Sequence, residues 1–267
     1  MRRISFPLTS LGSDAESVPD AAAVAAWISG VKGNEADLIS YETSALLAAQ
    51  QPYAASPAAG GAFYTPRIEE VFGIRDGVLS NAPELNAGSV INDIELAKKR
   101  IKHFSFSLPS PCSLNIADSY YPDEDERQDD LCEAFLRLTR EMRDADVAGA
   151  VLLSEVPTEI ELESFQGKKY LWSVSAGALE SVLEFSRDIV LPAEDVGRLA
   201  ELADSYTVRN VYLKDADSSA LMTALETVDR DNLFTAGYRK CDSGDEYWKS
   251  LSEVSVPCDE QKQGNNF

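Results

Sequence analysis

Histidine is almost absent from this sequence: His103 stands alone among 267 residues. A Ser-His-Asp scheme would have to run through it, yet no Gly-x-Ser-x-Gly elbow and no phosphate-binding P-loop is present. Cysteine is sparse as well. Cys112, Cys132, Cys241 and Cys258 lie far apart with no Cys-x-x-Cys pair, so free thiols in a reducing cytoplasm are the expectation. No apolar run approaches the roughly 18 residues of a membrane span. At the start, Arg2 and Arg3 precede only a short apolar run before Thr9 and Ser10, which is not the pattern of a signal peptide. Positive charge is the scarcest commodity: 24 Lys and Arg against 45 Asp and Glu leave a net charge of −21. Nucleic acid and anionic membranes need a basic footprint, so both are excluded as partners, and the charge serves solubility. A small molecule remains the expected partner, and the composition leaves a homo-oligomer open.

What the chain does have is apolar residues, 44% of the total, in an order that repeats. From 147 to 237, short apolar runs alternate with helical patterns: 150–154, 170–174, 188–191, 211–213 and 233–235. Such alternation is the mark of consecutive βα units around a parallel sheet. Upstream, 103–108 reads as a strand stopped by Pro109 and Pro111, 3–8 as an opening strand, and 37–41 as a second strand. Residues 9–20 read as a polar loop. Helices are expected at 21–31 behind Asp20, at 44–51, near 67–72, at 89–100, and around Leu131, Phe135, Leu138 and Met142, which recur with helical spacing. The Pro-, Ala- and Gly-rich segment 51–61 predicts a long exposed loop, and 52–88 as a whole a loop or lid. A short helix at 247–254 and a polar tail over 251–267 complete the chain.

Eight strand candidates, near 4, 39, 104, 150, 172, 189, 212 and 234, in a chain of 267 residues predict an α/β fold of the (β/α)8 TIM-barrel kind, one domain over 1–250. An open doubly wound sheet finds no support, since no Gly-x-Gly-x-x-Gly follows the first strand. In a barrel, functional groups belong at the C-terminal ends of the strands. Those ends carry Ser110 and Ser113, Glu155, Asp215 and Asp217, then Arg239, Lys240 and Cys241. Glu155 and Asp215 are the candidate catalytic acid and base. Ser110, Ser113, Arg239 and Lys240 are the candidate substrate-binding groups, because a cationic pair in so acidic a chain suits an anionic ligand. Asp215 and Asp217 equally suit a helix cap before Ser218. His103 begins a strand, which puts it at the other end.

A family resemblance attaches to the same strand ends. Leu108-Pro-Ser-Pro-Cys-Ser-Leu114 resembles the Leu-Pro-Gly-Pro-x-Thr-Leu signature of the superfamily of uroporphyrinogen decarboxylase, cobalamin-independent methionine synthase and the corrinoid/coenzyme M methyltransferases, with Ser110 in place of glycine and Ser113 in place of threonine. Ala148-Gly-Ala-Val-Leu-Leu-Ser-Glu-Val-Pro157 is similar to the segment in which an acidic residue and a proline close a strand, and 233–242 resembles the last strand. The resemblance covers roughly 104–245. It implies a TIM barrel that transfers methyl groups to a thiol or decarboxylates a porphyrinogen. In the methyltransferase branch it implies zinc, held by a His-x-Cys pair at one strand end, an acidic residue at the next and a distant cysteine, which lowers the thiol's pKa.

This chain departs from that set. The strand at 188–191 runs into Pro192, Ala193 and Glu194, with neither His nor Cys. Cys241 stands near the place of the distant cysteine and is the one weak metal candidate, with Cys112 and Glu155 or Asp215 as companions. No metal or other cofactor is expected. Substrate-holding arginines of a porphyrinogen decarboxylase would have to be Arg2 and Arg3, which precede the strand, so that activity is disfavoured. The expectation is a divergent barrel acting on or binding a small polar or thiol substrate in methyl or one-carbon metabolism. The alternative is a non-catalytic scaffold or binding subunit that has lost the zinc site.

Overall fold

A computed structural model describes residues 3–16, 19–31 and 35–257. Its frame is eight parallel strands in two four-stranded sheets. One sheet has the order β6(Asp188–Pro192), β7(Asn210–Lys214), β8(Leu233–Arg239), β1(Leu8–Ser13). The other has the order β2(Ala58–Gly60), β3(Ser105–Pro109), β4(Ala150–Leu153), β5(Tyr170–Ser173). The sheets meet where Thr9 bridges Ser56 in parallel, with the Ala55 amide donating to the Leu8 carbonyl at 2.9 Å and the Ser10 amide to the Ser56 carbonyl at 2.9 Å. Strands β5 and β6 lie side by side without a ladder. Leu11, Val151, Val190 and Ala236 form an inner apolar cluster drawn from β1, β4, β6 and β8, hence from both sheets.

Helices cover the outer faces. α1(Ala21–Gly30) starts at Asp20, whose carboxylate accepts from the Ala22 and Ala23 amides, but it buries none of its side chains. α2(Leu38–Gln50), α3(Thr65–Val71) and α4(Gly88–Lys98) pack over β2 and β3. α5(Glu124–Asp144) buries Leu131, Phe135, Leu138 and Met142, the stripe read from the sequence. Its cap Asp123 accepts from Asp125 and Glu126, an acidic first turn follows, and Arg143 lies in the last turn, all in favour with the helix dipole. α6(Glu159–Ser164), α7(Leu179–Phe185), α8(Leu199–Ser205), α9(Ser218–Ala224) and α10(Tyr247–Ser252) follow. Asp217 caps α9 by accepting from the Ala220 amide at 2.8 Å.

The six strand expectations from 104 onward hold, the one near 4 holds in part, and the one near 39 does not. Residues 37–41 are helical: Asp37 caps α2 through the Ser40 amide at 2.9 Å, so the pair Leu38 and Ile39 opens a helix instead of a strand. The opening strand is split. Arg3–Ser5 pairs antiparallel with Ser255–Pro257 outside the two sheets, and the sheet strand is Leu8–Ser13, taken from the sequence as loop. Its polar residues are buried in exchange for local bonds: the Ser10 hydroxyl accepts from the Gly12 amide at 3.1 Å. The segment 51–61 is an exposed loop only in its first half, because Ala58–Gly60 is a fully buried strand. Small residues are what that position requires. A Cβ on Gly60, at φ +77°, would stand 2.4 Å from the Ser107 carbonyl oxygen. The buried Gln50 amide also pairs both ways with Ala58, taking its N–H and donating to its carbonyl at 2.9 Å each. Residues 52–88 thus contain a strand and α3, and Val78–Leu79 pairs in parallel with Ala117–Asp118. The polar tail from 258 lies outside the described residues.

Candidate functional site

The C-terminal strand ends enclose a cleft of about 770 Å³. Ser113, Glu155, Lys214, Tyr238, Lys240 and Asp14 are among its lining groups, contributed by the ends of β1, β3, β4, β7 and β8. Strand alternation explains the two lysines. Tyr212 and Lys214 share one face of β7, while Val211 and Leu213 are buried against the helices on the other. Tyr238 and Lys240 share a face at the end of β8 in the same way. Among the described residues neither the Lys214 nor the Lys240 side chain makes a hydrogen bond or an ion pair. Lys214 and Lys240 come from neighbouring strands and share the lining with Asp14 and Glu155, so the cleft offers both cationic and anionic groups.

Other walls are fixed by hydrogen bonds. Tyr238 Oη donates to Asp14 Oδ1 at 2.6 Å and accepts from the Ala62 amide at 2.9 Å. Burial, together with that carboxylate, holds the Tyr238 hydroxyl well above its ordinary pKa, so it is a neutral phenol. Ser110 is buried and shares a 2.8 Å hydroxyl–hydroxyl bond with Ser113. Cys112 also faces the cleft, and its amide donates to Glu161 Oε1 at 2.9 Å. Glu161 is fully buried and caps α6 reciprocally with Thr158. Burial, then the Glu161 charge, pushes the Cys112 thiol up to about 12, the opposite of what an activated thiolate needs.

The sequence candidates therefore divide. Glu155, Ser113 and Lys240 line the cleft, and Ser110 supports Ser113 from beneath. Glu155 is exposed, and its carbonyl accepts from the Ser175 amide at 3.1 Å and hydroxyl at 2.7 Å, which fixes the turn that carries it. Asp215 does not line the cleft. It sits at φ +55° and accepts from Tyr247 Oη at 2.5 Å, tying β7 to α10. Arg239 is not there either: adjacent strand residues point to opposite faces, so Arg239 turns away from Lys240. It is buried against the following loop, with Nε donating to the Gly244 carbonyl at 3.2 Å and Asp245 at 3.4 Å from Nη2. Cys241 is exposed in the short turn after β8 and outside the cleft lining. His103 is exposed and precedes β3, at the far end. Lys214, Tyr238 and Asp14 were missed. The period-two pattern of β7 pointed to Lys214, whereas Asp14 lay in a segment read as loop.

Comparison with solved structures shows where the fold recurs. A protein described as a vitamin-B12-independent methionine synthase from Listeria monocytogenes superposes with a TM-score of 0.58 at 13% identity, covering 89% of this chain and 93% of its own. A B12-independent methionine synthase from Shewanella sp. W3-18-1, solved in complex with selenomethionine, gives 0.64 at 14% identity over 93% and 96%. The chain shares the fold of these proteins. No family model matches it, and no curated protein does.

Among the described residues, the zinc that the sequence resemblance implies finds no fitting ligand set. Among the described residues no three His, Cys, Asp or Glu side chains come together in a group that could hold a metal. Cys112 faces the cleft with its thiol held protonated, while Cys241 lies outside the lining. The donor chemistry of a thiolate–imidazole tetrahedron is not assembled. Among the described residues no helix is long and apolar enough to cross a membrane.

Proposed function

We propose that the two sheets close into a single (β/α)8 barrel whose C-terminal mouth takes a small, carboxylate-bearing molecule of amino-acid type in methionine or one-carbon metabolism, without a zinc-activated thiolate. The carrying observation is the unpaired lysine pair, Lys214 and Lys240, in the 770 Å³ cleft with Glu155. A cleft of that volume is in the range of small-molecule sites. Lys214 and Lys240 anchor the carboxylate. Glu155, which follows β4 in the other sheet, accepts from the ammonium and is the group free to move a proton. Ser113 hydrogen-bonds the ligand, and Tyr238, locked by Asp14 and Ala62, forms a rigid wall. Ser110, Asp215 and Arg239 hold the frame of the mouth. The selenomethionine bound to the Shewanella protein supports an amino-acid ligand, since the fold is shared.

Calorimetric titration with L-methionine and L-homocysteine tests this reading. Saturable binding that falls about tenfold or more in Lys214→Gln/Lys240→Gln is expected, since a hydrogen bond to a charged group contributes about 1.5–3 kcal/mol. No binding of either amino acid overturns it. The lack, among the described residues, of a His, Cys, Asp or Glu group that could hold zinc favours a second reading, a binding subunit that has lost methyl transfer. Binding without methyl transfer to homocysteine selects it.

A further inference from the structure

The opposite end of the strands concentrates positive charge. Two adjoining pockets open there, of about 390 and 170 Å³, and Lys168 lines both. Lys169 lines the smaller one, and Arg187, Asp188 and Arg209 line the larger. These residues are neighbours because Lys168 and Lys169 lead into β5, while Arg187 and Arg209 immediately precede β6 and β7. The charged lining is four cations against one carboxylate, in a chain where acids outnumber bases 45 to 24. The single carboxylate is already engaged. Asp188 takes Arg209 Nη2 at 2.7 and 2.9 Å, Arg209 Nε at 3.1 Å and Asn210 Nδ2 at 3.0 Å. Among the described residues Lys168, Lys169 and Arg187 make no ion pair and no side-chain hydrogen bond.

We infer that this N-terminal face carries a second binding site, distinct from the mouth, for a small phosphorylated anion held by Lys168, Lys169 and Arg187. Arg187 supplies a planar fork for two phosphate oxygens, and the lysines supply point charges around them. Arg209 is fixed by Asp188 and forms the wall. The remaining net charge of the molecule selects a small ligand. An anionic membrane or nucleic acid would approach the whole negative surface, whereas an anion inside the pocket is within about a Debye length of the local cations. Hydroxyls of Thr9, Ser56 and Ser105 line the smaller pocket and add donors for a second phosphoryl group.

Inorganic pyrophosphate titrated into the full chain at low ionic strength tests the site, with inorganic phosphate as a second probe. Saturable binding of one pyrophosphate per chain, weakening as salt is raised, is expected. Lys168→Gln/Arg187→Gln should weaken it by about tenfold or more, and Lys214→Gln/Lys240→Gln should leave it unchanged. Both sets of side chains are at pocket rims and away from the core, and circular dichroism confirms folding of each variant. Absence of saturable binding overturns the inference. So does wild-type affinity in Lys168→Gln/Arg187→Gln, or a loss confined to the mouth variant. Because amino-acid binding at the mouth is measured separately, the two sites stand or fall independently.

Discussion

Replacing the buried Arg67 by methionine should be strongly destabilising, because Arg67 holds three helices together. Its guanidinium is buried and donates to Asp93 Oδ2 at 3.0 Å, to both Asp37 oxygens at 2.7 and 2.8 Å, and to Glu70 at 2.7 Å. Asp93 has a side-chain exposure of 0%, with Ser40 and Tyr64 hydroxyls donating at 2.5 and 2.7 Å. Methionine keeps the apolar stem and leaves that carboxylate uncompensated. Breaking a buried pair from one side costs about 3–5 kcal/mol. Burial already holds the Asp93 carboxyl above its ordinary value, against the lowering effect of Ser40, Arg67 and Tyr64. Without Arg67 it rises further, so the folded variant binds a proton that the unfolded chain does not. In the window between the unfolded value of 3.8 and the raised folded value, stability falls as pH rises. The slope reaches about 1.4 kcal/mol per pH unit, and the deficit levels off above the folded value. For Asp37, burial raises the pKa but the Ser40 amide and Arg67 outweigh it, so its contribution is present above 3.8 and is lost as pH falls below that value. Asp37 is half exposed, so solvent screening leaves Asp93 dominant. Urea unfolding at several pH values between about 4 and about 8 reads the deficit directly. Adding Asp93→Asn should recover a large part of it. A loss under about 1 kcal/mol at neutral pH, or a deficit that does not change with pH, would refute the reasoning.

Further outcomes follow from the close approaches and the thiols. Gly60→Ala places a Cβ 2.4 Å from the Ser107 carbonyl at φ +77°, whereas Gly73→Ala, at φ +71°, meets nothing within 4 Å. Urea midpoints should show about 1 kcal/mol lost at Gly73 and clearly more, about 2–3 kcal/mol, at Gly60; equal losses would mean that β2 is not clamped against β3. Alkylation followed by peptide mass spectrometry should find the exposed Cys241 modified before Cys112 and Cys132, whose thiols burial pushes up to about 12. Early modification of Cys112 would contradict the cleft chemistry. Tyr238→Phe removes the acceptor for Ala62 and the donor to Asp14 and should cost about 1–3 kcal/mol in thermal or urea unfolding; an unchanged midpoint would show that this wall is not locked.

Local patterning determined most of the fold. Apolar runs spaced by amphipathic helices from residue 104 onward left one reading, because a strand buried on both faces and a helix with one apolar stripe impose different periods. The helix α5 and the strands β3 to β8 were legible for that reason. Glu155, Ser113 and Lys240 were legible as residues at strand ends. What the sequence could not supply was the identity of β1 and β2. Leu8–Ser13 and Ala58–Gly60 contain serine, glycine and alanine, and they are strands only because Ser107, Gln50 and the neighbouring backbone complete their hydrogen bonds and demand small side chains. Tertiary structure also chose between neighbours. Arg239 and Lys240 are adjacent in the chain, yet pleating sends one into the loop after β8 and the other into the cleft. Asp215 left the cleft because a tyrosine from α10, more than thirty residues on, reaches its carboxylate. From residue 104 onward composition and period fix which segments form strands and helices, while the small-residue strands β1 and β2 and the direction of each polar side chain are decided by partners that only folding brings near.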